Sequence, residues 1–223
     1  MKRKTADILS LAMIAAACAA AAYLYPSLPE QIPTHWNAAG EVDGYTRKPW
    51  GVLLLPGCAA LTWVLMKLVP VISPKGFRTD GFADVINVMQ VALIGFFSTI
   101  AVLVLLEASG VNTYINNFVV LAIGVLFLVL GNFMGKMRKN FFIGIRTPWT
   151  LASDEVWART HRLGGWTFML GGIAIIVGAL GGMTPGRMAA IIAIVALIPV
   201  GYSFVAYQRI EGFDDTNGDE TSA

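Results

Sequence analysis

The stretch INNFVVLAIGVLFLVLGNFM at residues 115–134 decides the fold of this chain, and the segment GKMRKNFFIGIRTPW follows it at residues 135–149. The first segment is apolar over about the 20 residues that an α-helix needs to cross a bilayer. The second segment is an island of basic, polar and aromatic residues, and another apolar run begins at residue 163. The pattern predicts two membrane-spanning helices with an informative loop between them.

The composition extends this prediction to the whole chain. Hydrophobic residues make up 56% of the 223 residues and charged residues 13%, whereas about 25% of the residues of an ordinary soluble domain are charged. Six apolar runs are long enough to span a membrane, at residues 6–25, 51–70, 85–107, 115–134, 163–183 and 187–207. We therefore predict an all-α, polytopic membrane helix bundle with six transmembrane helices.

The basic residues predict the orientation of the bundle. Short loops rich in Lys and Arg tend to stay in the cytoplasm, and six spans leave most of these residues on the side of the N-terminus. Both termini are therefore predicted to be cytoplasmic. The first run continues to Tyr25, which is longer than the apolar core of about 7–15 residues in a signal peptide, so we interpret it as a retained helix.

The same runs divide the chain into four regions. Residues 1–70 hold the first two helices and an outer-loop module at 26–50, and residues 71–134 hold helices three and four. Residues 135–210 hold the inner loop and the last two helices. Residues 211–223 form an acidic tail, which we predict to be disordered because it contains few apolar residues.

Small residues inside the spans suggest packing positions. Gly164, Gly171 and Gly178 are spaced by seven on the fifth helix, and such a stripe lets another helix approach closely. We predict that it is a helix-packing face. Cys18 and Cys58 lie at similar depth in the first two helices. The sequence leaves open whether they pair or remain free as small hydrophobic residues.

The outer loop carries His35, Asn37 and Asp43 among turn-forming residues. These side chains could line a ligand site that faces outward, or the loop could be a packed surface cap. One His with scattered carboxylates is weak evidence for a metal site. We assign no metal and no cofactor.

The inner loop ends at a helix start. Ser153 is a suitable N-cap, and the negative charge of Asp154 is stabilised at the positive N-terminal end of a helix dipole. On the helix that follows, Trp157, His161 and Gly164 are spaced to lie on one face. We predict a juxtamembrane helix that runs into the fifth span.

The guanidinium group of Arg146 is the second feature of the inner loop. Its planar fork could bind Asp154 or Glu155 and make the loop rigid, or it could bind a lipid phosphate or a carboxylate of a partner. The residues leave the structural role and the recognition role both open.

These motifs resemble those of the SdpI family, the integral membrane immunity proteins that protect a bacterium from its own secreted peptide toxin. In the outer loop the matching residues are Leu28, Pro29, Ile32, Pro33, Thr34, His35, Trp36, Asn37, Gly40, Asp43, Gly44 and Tyr45. In the inner region they are residues 131–135 and 140–149 with Trp157, His161, Gly164 and Gly165. The outer-loop module is similar to a domain of unknown function that often precedes the signature of this family.

The resemblance implies a multi-pass protein of the bacterial cytoplasmic membrane. It implies a secreted peptide toxin as a partner outside, and a winged-helix repressor as a partner inside that the protein holds at the membrane. It assigns no catalytic residue, so we expect a binding protein and not an enzyme. We expect no direct binding to nucleic acid, and the oligomeric state is not determined.

We combine these observations into one hypothesis for the sites. His35, Asn37 and Asp43 are predicted to form an outer, ligand-facing cap. A cytoplasmic output surface is predicted from the inner motif, namely Asn140, Arg146, Pro148, Trp149, Trp157 and His161.

The main alternative is a transporter or a lipid-handling protein. In that case the polar residues Asp84, Asn87 and Gln90, which enter the third helix at intervals of three, would face an internal cavity together with Arg146. A polar pocket that reaches the middle of the membrane would favour this alternative.

Overall fold

The computed structural model describes residues 1–37 and 41–212, and this part of the chain contains six helices that are long and apolar enough to cross a membrane. They are α1 (Arg3–Leu24), α2 (Lys48–Ile72), α3 (Ala83–Ala108), α4 (Ile115–Met134), α6 (Asp154–Leu180) and α7 (Pro185–Ile210), with the short helix α5 (Pro148–Ala152) before α6. The predicted six-helix membrane bundle is confirmed. The acidic tail from residue 213 onward and the predicted turn at 38–40 lie outside the described residues.

Six spans return the chain to the side on which it starts. We call the side on which α1 begins and α7 ends the terminal side, and the side with the connection between α1 and α2 the hairpin side. The terminal side also carries the connections from α2 to α3 and from α4 to α6. The predicted cytoplasmic location of the terminal side stays a prediction.

The helices form two groups of three that follow the order of the chain. In the first group α3 packs against α1 and α2, and in the second α6 packs against α4 and α7. The two groups meet where α3 packs against α4. A hydrophobic cluster around Ile100, Val104 and Ile115 closes this seam on the hairpin side, and a cluster around Phe82 and Met134 closes it on the terminal side.

The connection between α1 and α2 is a two-stranded antiparallel hairpin of β1 (Gln31–Trp36) and β2 (Val42–Arg47). The turn-forming residues of this loop predicted turns but no strand pairing. Ile32 is fully buried in the cluster on the hairpin side. A Cβ atom at Gly51 of α2 would lie 2.7 Å from the Cβ of Ile32. The glycine therefore allows the hairpin to dock closely on the bundle.

The closest backbone approach in the second group lies beside the predicted glycine stripe. A Cβ atom at Gly165 would lie 2.8 Å from the carbonyl oxygen of Gly131, and one at Gly172 would lie 2.7 Å from the carbonyl oxygen of Gly124. Both pairs are spaced by seven residues, so the antiparallel helices α4 and α6 touch at two successive levels. Their backbones can approach because no side chain separates them.

The predicted stripe itself faces side chains. A Cβ atom at Gly164 would meet Ile145 and Met134, one at Gly171 would meet Val195 of α7, and one at Gly178 would meet Met183. The backbone approach that was predicted for this stripe therefore belongs to the neighbouring face of α6. The physical reason is the periodicity of the helix: adjacent residues such as Gly164 and Gly165 point about 100° apart.

Both cysteines are free. Cys18 is exposed on α1 and Cys58 is half-buried on α2. The open question of their pairing is thus answered in favour of separate thiols.

Candidate functional site

Asn140 organises the loop on the terminal side. Its side chain is fully buried, and its amide nitrogen donates to the carbonyl oxygens of Arg138 at 3.0 Å and Ile143 at 2.9 Å. Its amide oxygen accepts from the backbone N–H groups of Phe142 at 2.9 Å and Ile143 at 2.7 Å. Because a buried polar group is stable only when its hydrogen bonds are made, this asparagine determines the shape of the turn.

His161 holds the next part of the loop against α6. Its Nε2 atom accepts a hydrogen bond of 2.9 Å from the backbone N–H of Ile145. Its Nδ1 atom lies 2.9 Å from the carbonyl oxygen of Trp157. A nitrogen that accepts an N–H bond carries no proton, so we assign the proton of the neutral ring to Nδ1.

Gly144 fits this arrangement because it lacks a side chain. Its φ of +114° lies in a region that side chains strongly disfavour. A Cβ atom at this position would also collide with Nε2 of His161. The glycine therefore brings the loop backbone onto the imidazole ring.

Two threonines tie the loop to α5 and α7. Thr147 and Thr150 form a capping box at the start of α5. The Thr147 hydroxyl lies 3.0 Å from the hydroxyl of Ser203 on α7, and the Thr150 hydroxyl donates to the carbonyl oxygen of Ile145 at 2.8 Å. These roles were not predicted from the sequence. The Thr147-Pro148 start followed by Thr150 was the available signal, since Pro at the first helical position after a Thr cap is typical of a helix start.

Arg146 does not form the ion pair that its neighbourhood suggested. Its guanidinium donates to the carbonyl oxygen of Phe141 at 2.7 Å. Asp154 pairs instead with Lys139 at 2.7 Å, and Glu155 pairs with Arg159 at 2.6 Å. Both carboxylates therefore form ion pairs with other cations, and Arg146 remains exposed.

The structure divides the predicted output surface into exposed and buried parts. Trp157 is 2% exposed and His161 and Asn140 are 0% exposed, so their side chains offer no area to a soluble partner. The prediction is corrected at these three positions, because the side chains are used in packing and hydrogen bonding inside the loop. Arg146 and Pro148 are exposed, and Trp149 is half-buried against Phe204, with ring centroids 5.0 Å apart.

The predicted outer residues lie together at the end of the hairpin. Nδ1 of His35 pairs with the carboxylate of Asp43, and both side chains are exposed. Asn37 donates to the Glu41 carboxylate at 3.2 Å and accepts from the Glu41 backbone N–H at 3.0 Å. Gly44 pairs with His35 across the strands, where a Cβ atom would lie 2.7 Å from that of the histidine.

A pocket of about 620 Å³ lies on the hairpin side, at the outer end of the seam between the two helix groups. Trp36 and Asn37 of the hairpin, Asn116 and Asn117 of α4, and Gly186 of α7 are among the residues that line it. Its other walls are mainly apolar, from Ile100, Val104, Ile115, Val119, Val120, Ala179, Met183, Pro185, Met188 and Ala189. Of these residues only Asn37 was predicted from the sequence, because the others come from four separate parts of the chain.

The contacts of the helix-three residues do not support the transporter alternative. Gln90 is buried and donates to Ser10 at 3.0 Å and to Asp7 at 3.3 Å, both on α1. Asp7 pairs with Lys67 of α2. These side chains satisfy one another. A groove of about 350 Å³ between α3 and α4 is lined by apolar residues and Thr99.

Comparison with known families gives two matches that cover these regions. Residues 136–203 match the SdpI/YfhL protein family. This segment of the chain is therefore similar to the domain of that family. The domain contains the loop that is organised by Asn140 and His161, and it ends at Ser203, the hydroxyl partner of Thr147. Residues 12–60 match a Domain of unknown function (DUF1648), and this match contains the hairpin.

A curated relative supports the same assignment. The chain is 25% identical to the Immunity protein SdpI of Bacillus subtilis (strain 168) over 171 residues, which covers 77% of this chain and 80% of the relative. No solved structure matches the chain. The resemblance to the SdpI family is confirmed, and at the level of the family it supports a role in immunity to a toxin.

Proposed function

We propose that this protein gives a bacterial cell immunity against a secreted, membrane-active peptide toxin by binding it on the hairpin side of the cytoplasmic membrane. The observation that carries the proposal is the similarity to an immunity protein over 77% of the chain. The proposed activity is binding, and no catalytic step is assigned.

The hairpin-side pocket is the proposed contact for the toxin. Its apolar walls can bury apolar side chains of a peptide, and the amides of Asn116 and Asn117 can form hydrogen bonds to a peptide backbone. The pocket lies where the hairpin meets the seam between the two helix groups. A peptide that enters the outer leaflet would meet this end of the bundle first.

Filling the pocket tests the proposal. Gly186 lines the pocket and has open space where its Cβ atom would be, so Gly186→Leu places a large side chain there without displacing backbone. Gly201→Leu is the matched control, since Gly201 lies on the same helix, is exposed and also has open space. A sensitive bacterium that expresses each variant is challenged with the secreted peptide toxin of the SdpI system.

We expect the control to preserve survival and Gly186→Leu to lose most of it at equal membrane abundance. Equal protection by the two variants would exclude the pocket as the toxin contact. Failure of the unaltered chain to protect would instead reject immunity against this toxin.

We further propose that the terminal side faces the cytoplasm and holds a winged-helix repressor when toxin is present. The exposed guanidinium of Arg146 in the loop on this side supports this role, because a guanidinium can bind a carboxylate of a partner. The test follows a fluorescent repressor of the SdpI system in cells that express the chain. Arg146→Ala is expected to lose toxin-dependent recruitment to the membrane and to retain survival, whereas Lys136→Ala, an exposed control on the same side, should retain both. Recruitment that is unchanged in Arg146→Ala would reject this contact.

A further inference from the structure

A groove on the terminal side of the second helix group has a different chemistry from the hairpin-side pocket. It has a volume of about 510 Å³ and lies between the beginning of α6 and the end of α7. The residues that line it are Glu155, Ala158, Arg159, Arg162, Leu163, Trp166 and Tyr202. Two arginines and one glutamate leave one net positive charge along its wall.

Arg162 is the uncompensated cation of this groove. It is exposed, and within residues 1–37 and 41–212 it makes no hydrogen bond or ion pair. The neighbouring Arg159 uses its Nε atom to bind Glu155 at 2.6 Å, with about half of its side chain exposed. The terminal nitrogens of both guanidinium groups are therefore open to an anion.

The aromatic residues of the groove relate it to the membrane. Trp166 lies one turn beyond Arg162 on α6, about 6 Å further along the helix axis at a rise of about 1.5 Å per residue. Its side chain is 61% exposed although it lies within a membrane-spanning helix. An exposed indole at this position is typical of the boundary between headgroups and acyl chains. Tyr202 of α7 adds a half-buried phenol on the opposite wall.

We infer that this groove binds the phosphodiester headgroup of an anionic phospholipid in the leaflet on the terminal side. The guanidinium groups of Arg162 and Arg159 would hold the phosphate oxygens, because planar forks match this geometry. Trp166 and Leu163 would contact the first part of an acyl chain. Basic pockets between membrane helices bind lipid headgroups in this way. The order from cation to indole along α6 favours a lipid over a soluble phosphate, which has no acyl chain to contact the indole.

Native mass spectrometry of the purified full chain, with phosphatidylglycerol as the probe, tests this site. Arg162→Gln is expected to reduce retention of the lipid roughly tenfold, since it removes a charge-assisted hydrogen bond to the phosphate. Arg209→Gln is the matched control, because Arg209 is exposed near the terminal-side end of α7 and its loss changes the net charge equally. The control is expected to retain the lipid.

Two further variants and a competition experiment separate the remaining explanations. Arg162→Lys keeps the charge and is expected to retain less lipid than the unaltered chain, and Arg159→Gln is expected to weaken retention while Arg162 stays in place. Glycerol 3-phosphate is expected not to displace the lipid. Displacement at similar concentrations of soluble and lipid phosphate would overturn the assignment to a lipid. Equal losses in Arg162→Gln and Arg209→Gln, with unchanged thermal stability, would show that net charge alone matters and would overturn the site.

Discussion

The imidazole of His161 stacks on the indole of Trp157, one helical turn earlier on α6, with ring centroids 3.9 Å apart and planes inclined by 19°. The indole nitrogen donates to the carbonyl oxygen of Met137 at 2.9 Å, and the imidazole accepts from the N–H of Ile145. The stacked pair thus holds two distant points of one loop. The two buried rings therefore stabilise the loop through its backbone.

Replacing this acceptor should destabilise the protein. His161→Phe preserves a flat ring but leaves the Ile145 N–H without its acceptor, which costs about 1–3 kcal/mol in a buried place. His35→Phe is the control, since His35 is the other histidine of the chain and is 71% exposed. Thermal unfolding in detergent should show a clear loss for the first variant and little change for the second. Similar melting temperatures for both would contradict the role of His161 in the loop.

Gly144 should tolerate no side chain. Its positive φ and the collision of a Cβ atom with His161 predict that Gly144→Ala lowers stability by about 1–3 kcal/mol. Gly76→Ala is the control on the same side of the membrane, because open space surrounds the position of its Cβ atom. The same melting experiment compares the two. A Gly144→Ala protein as stable as the Gly76→Ala protein would refute the strained turn.

The α4–α6 contact predicts an order among glycine substitutions. Gly165→Ala should lower the folded yield more than Gly178→Ala, because an added methyl group at Gly165 meets the backbone of Gly131 whereas one at Gly178 meets the flexible end of Met183. Overpacking of this kind costs about 1–3 kcal/mol. Size-exclusion chromatography of the detergent-purified variants gives the folded fraction. The reverse order would indicate that the close contact lies at the predicted stripe, which contains Gly178.

The Asp7–Lys67 pair predicts a non-additive result. Lys67→Met leaves the Asp7 carboxylate without its cation near the membrane interface, and Asp7→Leu leaves the ammonium group without its anion. Each single change should lower the free energy of unfolding by about 1–2 kcal/mol. The double change should lower it by less than the sum of the two, because no unpaired charge remains. Unfolding of the three variants measures this coupling. Strict additivity would indicate that the pair contributes nothing beyond its separate parts.

The orientation of the bundle is directly measurable. Three of the 16 Lys and Arg residues lie on the hairpin side, namely Arg47, Lys48 and Arg187, so the bias of basic residues predicts a cytoplasmic terminal side. Reporter fusions after Lys4, Lys139 and Gln208 should be active as cytoplasmic fusions, and a fusion after Lys48 as a periplasmic one. Periplasmic activity after Lys139 would invert the orientation and reject a cytoplasmic partner for the loop.

Local patterns were sufficient for the helices and for part of the loop. The apolar runs predicted all six spans, because a bilayer requires a continuous apolar segment whatever the tertiary contacts are. Ser153 was predicted as the cap of α6, and its hydroxyl accepts from the N–H of Val156. Such a cap acts within one turn of helix, so a few adjacent residues are enough to predict it.

Contacts between distant residues were beyond the reach of these patterns. The strands β1 and β2 pair in a hairpin that docks through Ile32 against Gly51 of α2. The guanidinium of Arg146 binds the carbonyl oxygen of Phe141 instead of a nearby carboxylate. In each case several partners were compatible with the spacing along the chain. The choice among them is a matter of geometry in three dimensions.

The sequence by itself determined the membrane class, the number of spans and the motifs of the family, because hydropathy and local motif spacing are properties of neighbouring residues. Only the tertiary structure decided that His161 and Trp157 are buried and that Gly165, instead of Gly164, meets the backbone of α4. It also brought the hairpin, α3, α4 and α7 together around one pocket. Burial depends on which face of a helix meets a neighbour, and membrane helices that are apolar on every side do not reveal that face in their sequence.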